Sequence, residues 1–152
     1  MKSNSPVPIA QRPEPERIYL FVQHFGRRLR EIDVSVGLTP ARFSALASLH
    51  FHDSRNIGDL AADERVKRPS MTRLVGDMER DGLVRRARDP SDGRGVLIKL
   101  TPRGNALFNG TRATKIALVA DYLRALPPDR RTAIKIAFGV LDDLAVPPAS
   151  VS

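Results

Sequence analysis

A chain of 152 residues, 41% of them hydrophobic, suits one compact domain or one protomer of an intertwined oligomer. With no cysteine, no tryptophan and only 5% aromatic residues, it excludes disulfides, thiolate metal sites and cysteine redox chemistry, and its core must be aliphatic. The formal charge of +8 is concentrated: residues 1–64 balance at zero, residues 65–103 carry 11 basic and 5 acidic groups, and the remainder adds only +2.

Residues 1–15 contain Pro6, Pro8, Pro13 and Pro15 and read as a flexible arm. A single folded region is expected over 16–145. Its first helix spans about Glu16 to Val34, where Ile18, Phe21, Val22, Phe25, Leu29 and Ile32 recur at helical spacing. Thr39-Pro40 opens a second helix, a hydroxyl N-cap followed by proline at the first helical position, with Phe43, Leu46, Ala47 and Leu49 inward. A short third helix covers about Gly58 to Glu64. The fourth runs from Arg68 to about Asp81 and stops at Gly82. Strands follow at Leu83 to Arg88 and Gly95 to Leu100, the second with Val96, Ile98 and Leu100 alternating onto one face. Thr101-Pro102 begins a fifth helix to about Ala125, and Pro127-Pro128-Asp129 begins a sixth with Ile134, Ala137, Phe138, Leu141 and Leu144 as its stripe. Residues 146–152 read as a second flexible tail. Helix five carries apolar residues around much of its circumference, more than one domain needs, which points to burial against a second protomer. No apolar run is long enough to span a bilayer and no signal-peptide core follows the first residues, so a soluble, cytoplasmic protein without a membrane partner is expected.

At about 100° per residue, Met71, Leu74, Val75 and Met78 form the buried stripe of helix four. Pro69, Arg73, Gly76 and Arg80 lie opposite, with Lys67, Arg68, Ser70 and Thr72 at or near its start. Arginine can donate two hydrogen bonds to guanine, and a helix N-terminus attracts phosphate. Gly76 costs about 1 kcal/mol relative to alanine in a helix, so it either lets a nucleic-acid backbone approach or lets another helix pack. The segment after it adds Arg85, Arg86 and Arg88 on the strand, then Asp89-Pro90-Ser91-Asp92-Gly93-Arg94-Gly95 as a tight turn. Arg94 at such a tip suits a narrow minor groove, with Asp92 holding the turn through an arginine or through its own backbone. A basic helix beside a basic hairpin is a winged helix-turn-helix, and double-stranded DNA is the partner it fits.

The segments LTPARFSALASL and DLAADERVKRPSMTRLVGDMERDGLVRRARDPSDGRGVLIKLTPRG carry a resemblance. Their RPSMTRLV core, DGLV turn, Asp92-Gly93-Arg94 tip and Leu100-to-Gly104 exit together resemble the MarR-type winged-helix transcriptional regulators over nearly the whole folded region. The resemblance implies a mainly α fold with a small β-hairpin wing. The winged helix-turn-helix would cover about 38–101, and helices over 16–34 and 102–145 would form a dimerisation region. It implies a homodimeric repressor of a pseudo-palindromic operator. Lys67, Arg68, Pro69, Ser70, Thr72 and Arg73 would meet the major groove. Arg86, Arg88, Asp92 and Arg94 would form the wing's contribution. Many members carry serine where this chain has Lys67, and arginine where it has Gly93. Members often sense an aromatic or phenolic acid in a cleft for which His24, Phe25, Phe43, Ala47 and His50 are this chain's candidates.

No nucleophile–base set, phosphate loop or metal-spaced motif points to an enzyme, and no cofactor is implied. Two other readings remain: a winged-helix module that binds protein, disfavoured by arginine at Arg73, Arg80 and Arg94, and a metal-responsive regulator using His50, His52 and Asp53. The second requires helix two to end before His52, because helical residues two apart point away from each other.

Overall fold

The computed structural model describes Pro8, residues 11–90 and residues 95–145. Asp92, Gly93 and Arg94, the expected C-terminal tail and most of the expected N-terminal arm lie outside the described residues. The elements are α1 (Glu14–Ser35), α2 (Pro40–His52), α3 (Ile57–Asp63), α4 (Arg68–Arg80), β1 (Val84–Arg88), β2 (Val96–Leu100), α5 (Pro102–Arg124) and α6 (Pro128–Ala145). They belong to two compact units, residues 1–112 and 113–152, divided within α5.

Helix starts follow local chemistry. Thr39 accepts a hydrogen bond from the Arg42 amide at 3.3 Å, and Thr101 accepts one from the Gly104 amide at 3.0 Å. Asn56 caps α3 by accepting from the Asp59 amide at 2.9 Å, a cap the sequence reading passed over. α1 begins two residues earlier than expected, with Pro15 in its first turn, where a missing N–H costs nothing.

Three helices end in the same hydrogen-bond pattern. Gly37, Arg65 and Gly82 follow α1, α3 and α4 with φ of 74°, 52° and 70°. Each amide at these positions, and the one after it, bonds back to the helix: Leu38 to Asp33, Val66 to Ala61, Leu83 to Met78. Two of the three residues are glycine. Arg65 adopts the left-handed conformation without that freedom, in the turn between α3 and α4.

The core of the first unit is aliphatic, as composition demands. Leu46, Leu49, Leu60, Met71, Val75, Met78, Ile98 and Phe108 are all fully buried. Phe108 of α5 lies against Phe43 and His50 of α2, with ring centroids 5.3 and 4.8 Å apart. β1 and β2 pair antiparallel in the register Val84–Leu100 through Arg88–Val96. Of the expected inward trio on β2, Ile98 is buried and Leu100 packs against the core, but Val96 is 46% exposed, because it sits where the hairpin has left the body. Arg55 adds an isolated bridge outside β2: its amide donates to the Ile98 carbonyl at 3.1 Å and its carbonyl accepts from Ile98 at 2.8 Å.

One residue ties the hairpin root to α5. The Thr101 hydroxyl donates toward the Gly82 carbonyl at 2.6 Å, with the Leu83 carbonyl 3.1 Å away, and the Thr101 amide also donates to Leu83 at 3.1 Å. Gly104, one turn on, lies directly over that carbonyl. A Cβ built there would stand 2.0 Å from the Leu83 oxygen. The exit motif Leu100 to Gly104 is thus a packing requirement. In the second unit, Arg131 closes the turn after α5 by donating to the carbonyls of Arg124 and Leu126, both at 3.2 Å.

Candidate nucleic-acid interface

α4 presents two faces. Met71, Val75 and Met78 are buried and Leu74 packs on the core. Arg68, Pro69, Ser70, Thr72 and Arg73 are exposed, as is Lys67 at the N-cap. Lys67 has no side-chain oxygen and makes no cap hydrogen bond, so the positive end of the helix is not neutralised by its own cap. Among the described residues neither Arg68 nor Arg73 has an ion-pair partner, whereas Arg80 pairs with Asp77 one turn back. The Thr72 hydroxyl donates to the Arg68 carbonyl at 2.9 Å, which leaves its oxygen to accept.

Gly76 lies between Arg73 and Arg80 on this face. A Cβ built there meets no atom within 4 Å. Among the described residues no other helix packs on Gly76, and the space above it is open.

The hairpin splits its arginines. Arg86 lies opposite the buried Ile98, on the face turned toward the helices, and its Nε donates to Glu79 of α4 at 3.1 Å. That pair props the strand on the helix. Arg85 is paired in register with Lys99, is exposed and has no ion-pair partner among the described residues. Arg88 is exposed beside the tip. The tip candidates Asp92 and Arg94 fall outside the described residues.

The structure also shows supports that the sequence reading missed. Arg55 donates to Asp63 at 2.8 Å, joining the bridge beside β2 to the end of α3. Burial pushes the Asp63 carboxyl up, but hydrogen bonds from Ser48 and Arg55, the Arg55 charge and nearby His52 outweigh it and hold the group below its ordinary 3.8. Arg42, near the start of α2, pairs with Asp81 at the end of α4. These contacts join residues 8 and 39 apart, with no spacing rule to announce them.

The small-molecule candidates fall into two groups. Phe43 and His50 gather on Phe108, and Ala47 packs on the same core; His50 Nδ1 lies 2.9 Å from Asn105 Oδ1. His24 and Phe25 line a shallow cleft on α1 with Arg17, Phe21 and Arg28, where Phe21 and Phe25 stack with centroids 5.2 Å apart. The metal alternative required α2 to stop before His52. The helix runs through His52, so the two imidazoles leave it in opposing directions. No group of three metal-ligating side chains occurs among the described residues, and no helix there is long and apolar enough to cross a membrane.

The MarR family model matches residues 38–96, from the start of α2 into β2. An HTH-type transcriptional regulator of Mycobacterium bovis is 33% identical over 118 residues, covering 78% of this chain and 82% of that protein. The homoprotocatechuate degradative operon repressor of Escherichia coli is 39% identical over 72 residues, 47% of this chain and 49% of that one. A mutant of Staphylococcus aureus MepR, solved bound to oligodeoxyribonucleotide, has the same fold at a TM-score of 0.71 with 16% identity, covering 90% of this chain and 100% of that one. With this likeness reaching from the basic helix and hairpin across most of the sequence, the chain belongs to the MarR family of HTH-type transcriptional regulators.

Proposed function

We propose that the protein is a sequence-specific repressor that binds a pseudo-palindromic operator as a homodimer in the cytoplasm. The observation that carries this reading is the exposed arginine pair Arg68 and Arg73 on α4, without ion-pair partners among the described residues and opposite the buried Met71, Val75 and Met78. Lys67, Arg68, Pro69, Ser70, Thr72 and Arg73 meet the major groove and Arg94 of the wing the neighbouring minor groove, with Arg88 adding charge beside it and Asp92 holding the turn. Arg86 contributes by bracing the wing on Glu79 rather than by free charge. The oligonucleotide in the MepR structure supports a duplex as ligand of this fold.

Dimerisation through the 16–34 and 102–145 helices is supported by exposed apolar side chains: Ile18, Phe21 and Val22 on α1, Ile116 on α5, and Ile136 and Phe138 on α6. Release by an aromatic or phenolic acid, held near His24, Phe25, Phe43, Ala47 and His50, is supported by the name of the Escherichia coli relative.

Selection of duplexes from a random library tests the reading. The expected product is a two-fold repeated site, with Arg73→Ala losing about 1–3 kcal/mol on it and less on random DNA. Binding must also weaken steeply with salt. Failure to enrich any sequence, or a salt-independent affinity, overturns the proposal.

A further inference from the structure

A second basic feature lies away from the start of α4. Arg42, Arg80 and Arg103 surround a cleft of about 390 Å³ whose floor and rim include Gly37, Asp81 and Leu83. Its lining is mainly polar, and its volume is in the range of small-molecule sites. Arg42 and Arg103 stand in the first turns of α2 and α5. Three guanidinium groups are therefore gathered at one cleft, two of them carried by the first turns of helices.

The carboxylate in the cleft is a poor match to its own helix. Asp81 caps the C-terminus of α4, the negative end of that dipole, and Arg42 stands at the positive end of α2. Each charge is unfavourable for its own helix and is held there by the other. An incoming oxyanion would satisfy Arg42 in place of Asp81, and would release that carboxylate. Arg80 is already engaged by Asp77, and Arg103 has no ion-pair partner among the described residues. The lining groups thus retain excess positive charge after internal pairing.

We propose that this cleft binds a compact oxyanion of the phosphate-monoester class, and that the ligand competes with Asp81 for Arg42. The predominantly polar lining favours such a ligand over an aromatic acid. Occupancy would loosen the tie between α2 and the end of α4. The site does not rest on the DNA reading.

The test uses the full chain without DNA, titrated with inorganic phosphate at constant ionic strength and followed by amide chemical shifts. Saturable shifts at Gly37, Leu38 and Leu83 are expected. Arg103→Ala should weaken the affinity about tenfold, the loss of one charge-assisted contact. Asp81→Asn should tighten it severalfold, while Asp129→Asn on α6, the same change of charge elsewhere, leaves it unchanged. Three results would overturn the proposal: no saturation, equal tightening by both Asp→Asn variants, or a phosphate affinity that Arg103→Ala leaves unchanged. No saturation together with weaker duplex binding by Arg103→Ala would make the cleft a DNA-backbone contact.

Discussion

Gly104→Ala is the sharpest test of how the hairpin is attached. In an ordinary helix this change stabilises, by about 1 kcal/mol. Here the new methyl would lie 2.0 Å from the Leu83 oxygen, 2.9 Å from its carbonyl carbon and 3.2 Å from its Cα. All three are backbone atoms, so no rotamer relieves the contact; helix or strand must retreat by about 1 Å, the scale of an overpacked core. That carbonyl accepts from the Thr101 amide and lies within reach of its hydroxyl, both at 3.1 Å. A retreat of that size takes both beyond bonding range. Overpacking costs about 1–3 kcal/mol, and two lost hydrogen bonds about 0.5–1.5 kcal/mol each. Less the helix-propensity gain, the net loss is about 3 kcal/mol. Urea unfolding at fixed protein concentration reads it directly. A variant as stable as the parent would refute the packing argument, since the propensity term alone predicts a gain.

Gly76→Ala should behave in the opposite way. With nothing within 4 Å of the new methyl, stability rises by up to about 1 kcal/mol, while operator affinity falls if the proposed duplex-facing surface includes Gly76. A variant that gains stability and keeps full operator affinity would remove Gly76 from the interface. The Arg55–Asp63 pair gives a pH prediction. The folded-state pKa of Asp63 lies below the unfolded value, so its contribution is present above about pH 4 and is lost as pH falls through the folded value. Asp63 is partly exposed, so the contribution at neutral pH is about 0–1 kcal/mol. Unfolding midpoints at pH 7 and pH 3 should differ less in Asp63→Asn than in the parent; equal differences would dismiss the pair as a pH-linked support.

Much of this fold is written in short-range chemistry. Thr39-Pro40 and Thr101-Pro102 announce helix starts because cap and proline act on adjacent residues, and Gly82 announces a stop because its backbone geometry is local. The buried stripe of α4 follows from periodicity alone. What stayed hidden depends on partners far along the chain or on the absence of a marker. Arg55 pairs with Ile98 as a single residue, and one residue has no alternation to detect. Arg65 ends α3 in a conformation usually signalled by glycine. The stripe on α1 was legible, but not its fate: Ile18, Phe21 and Val22 remain more than half exposed, because periodicity reports an apolar face without reporting what covers it. Similarly, Arg86 reads as a wing cation until the strand register turns it toward Glu79.

The Leu83 carbonyl has a mechanical consequence. It is a fulcrum shared by three arms: the last turn of α4, the root of β1 and the first turn of α5 meet at one oxygen and the threonine bound to it. No flexible side chain lies between Gly104 and that oxygen to absorb a displacement. Tilting the opening turn of α5 therefore swings the hairpin with it, and the angle between basic rod and basic finger is geared to the backbone itself.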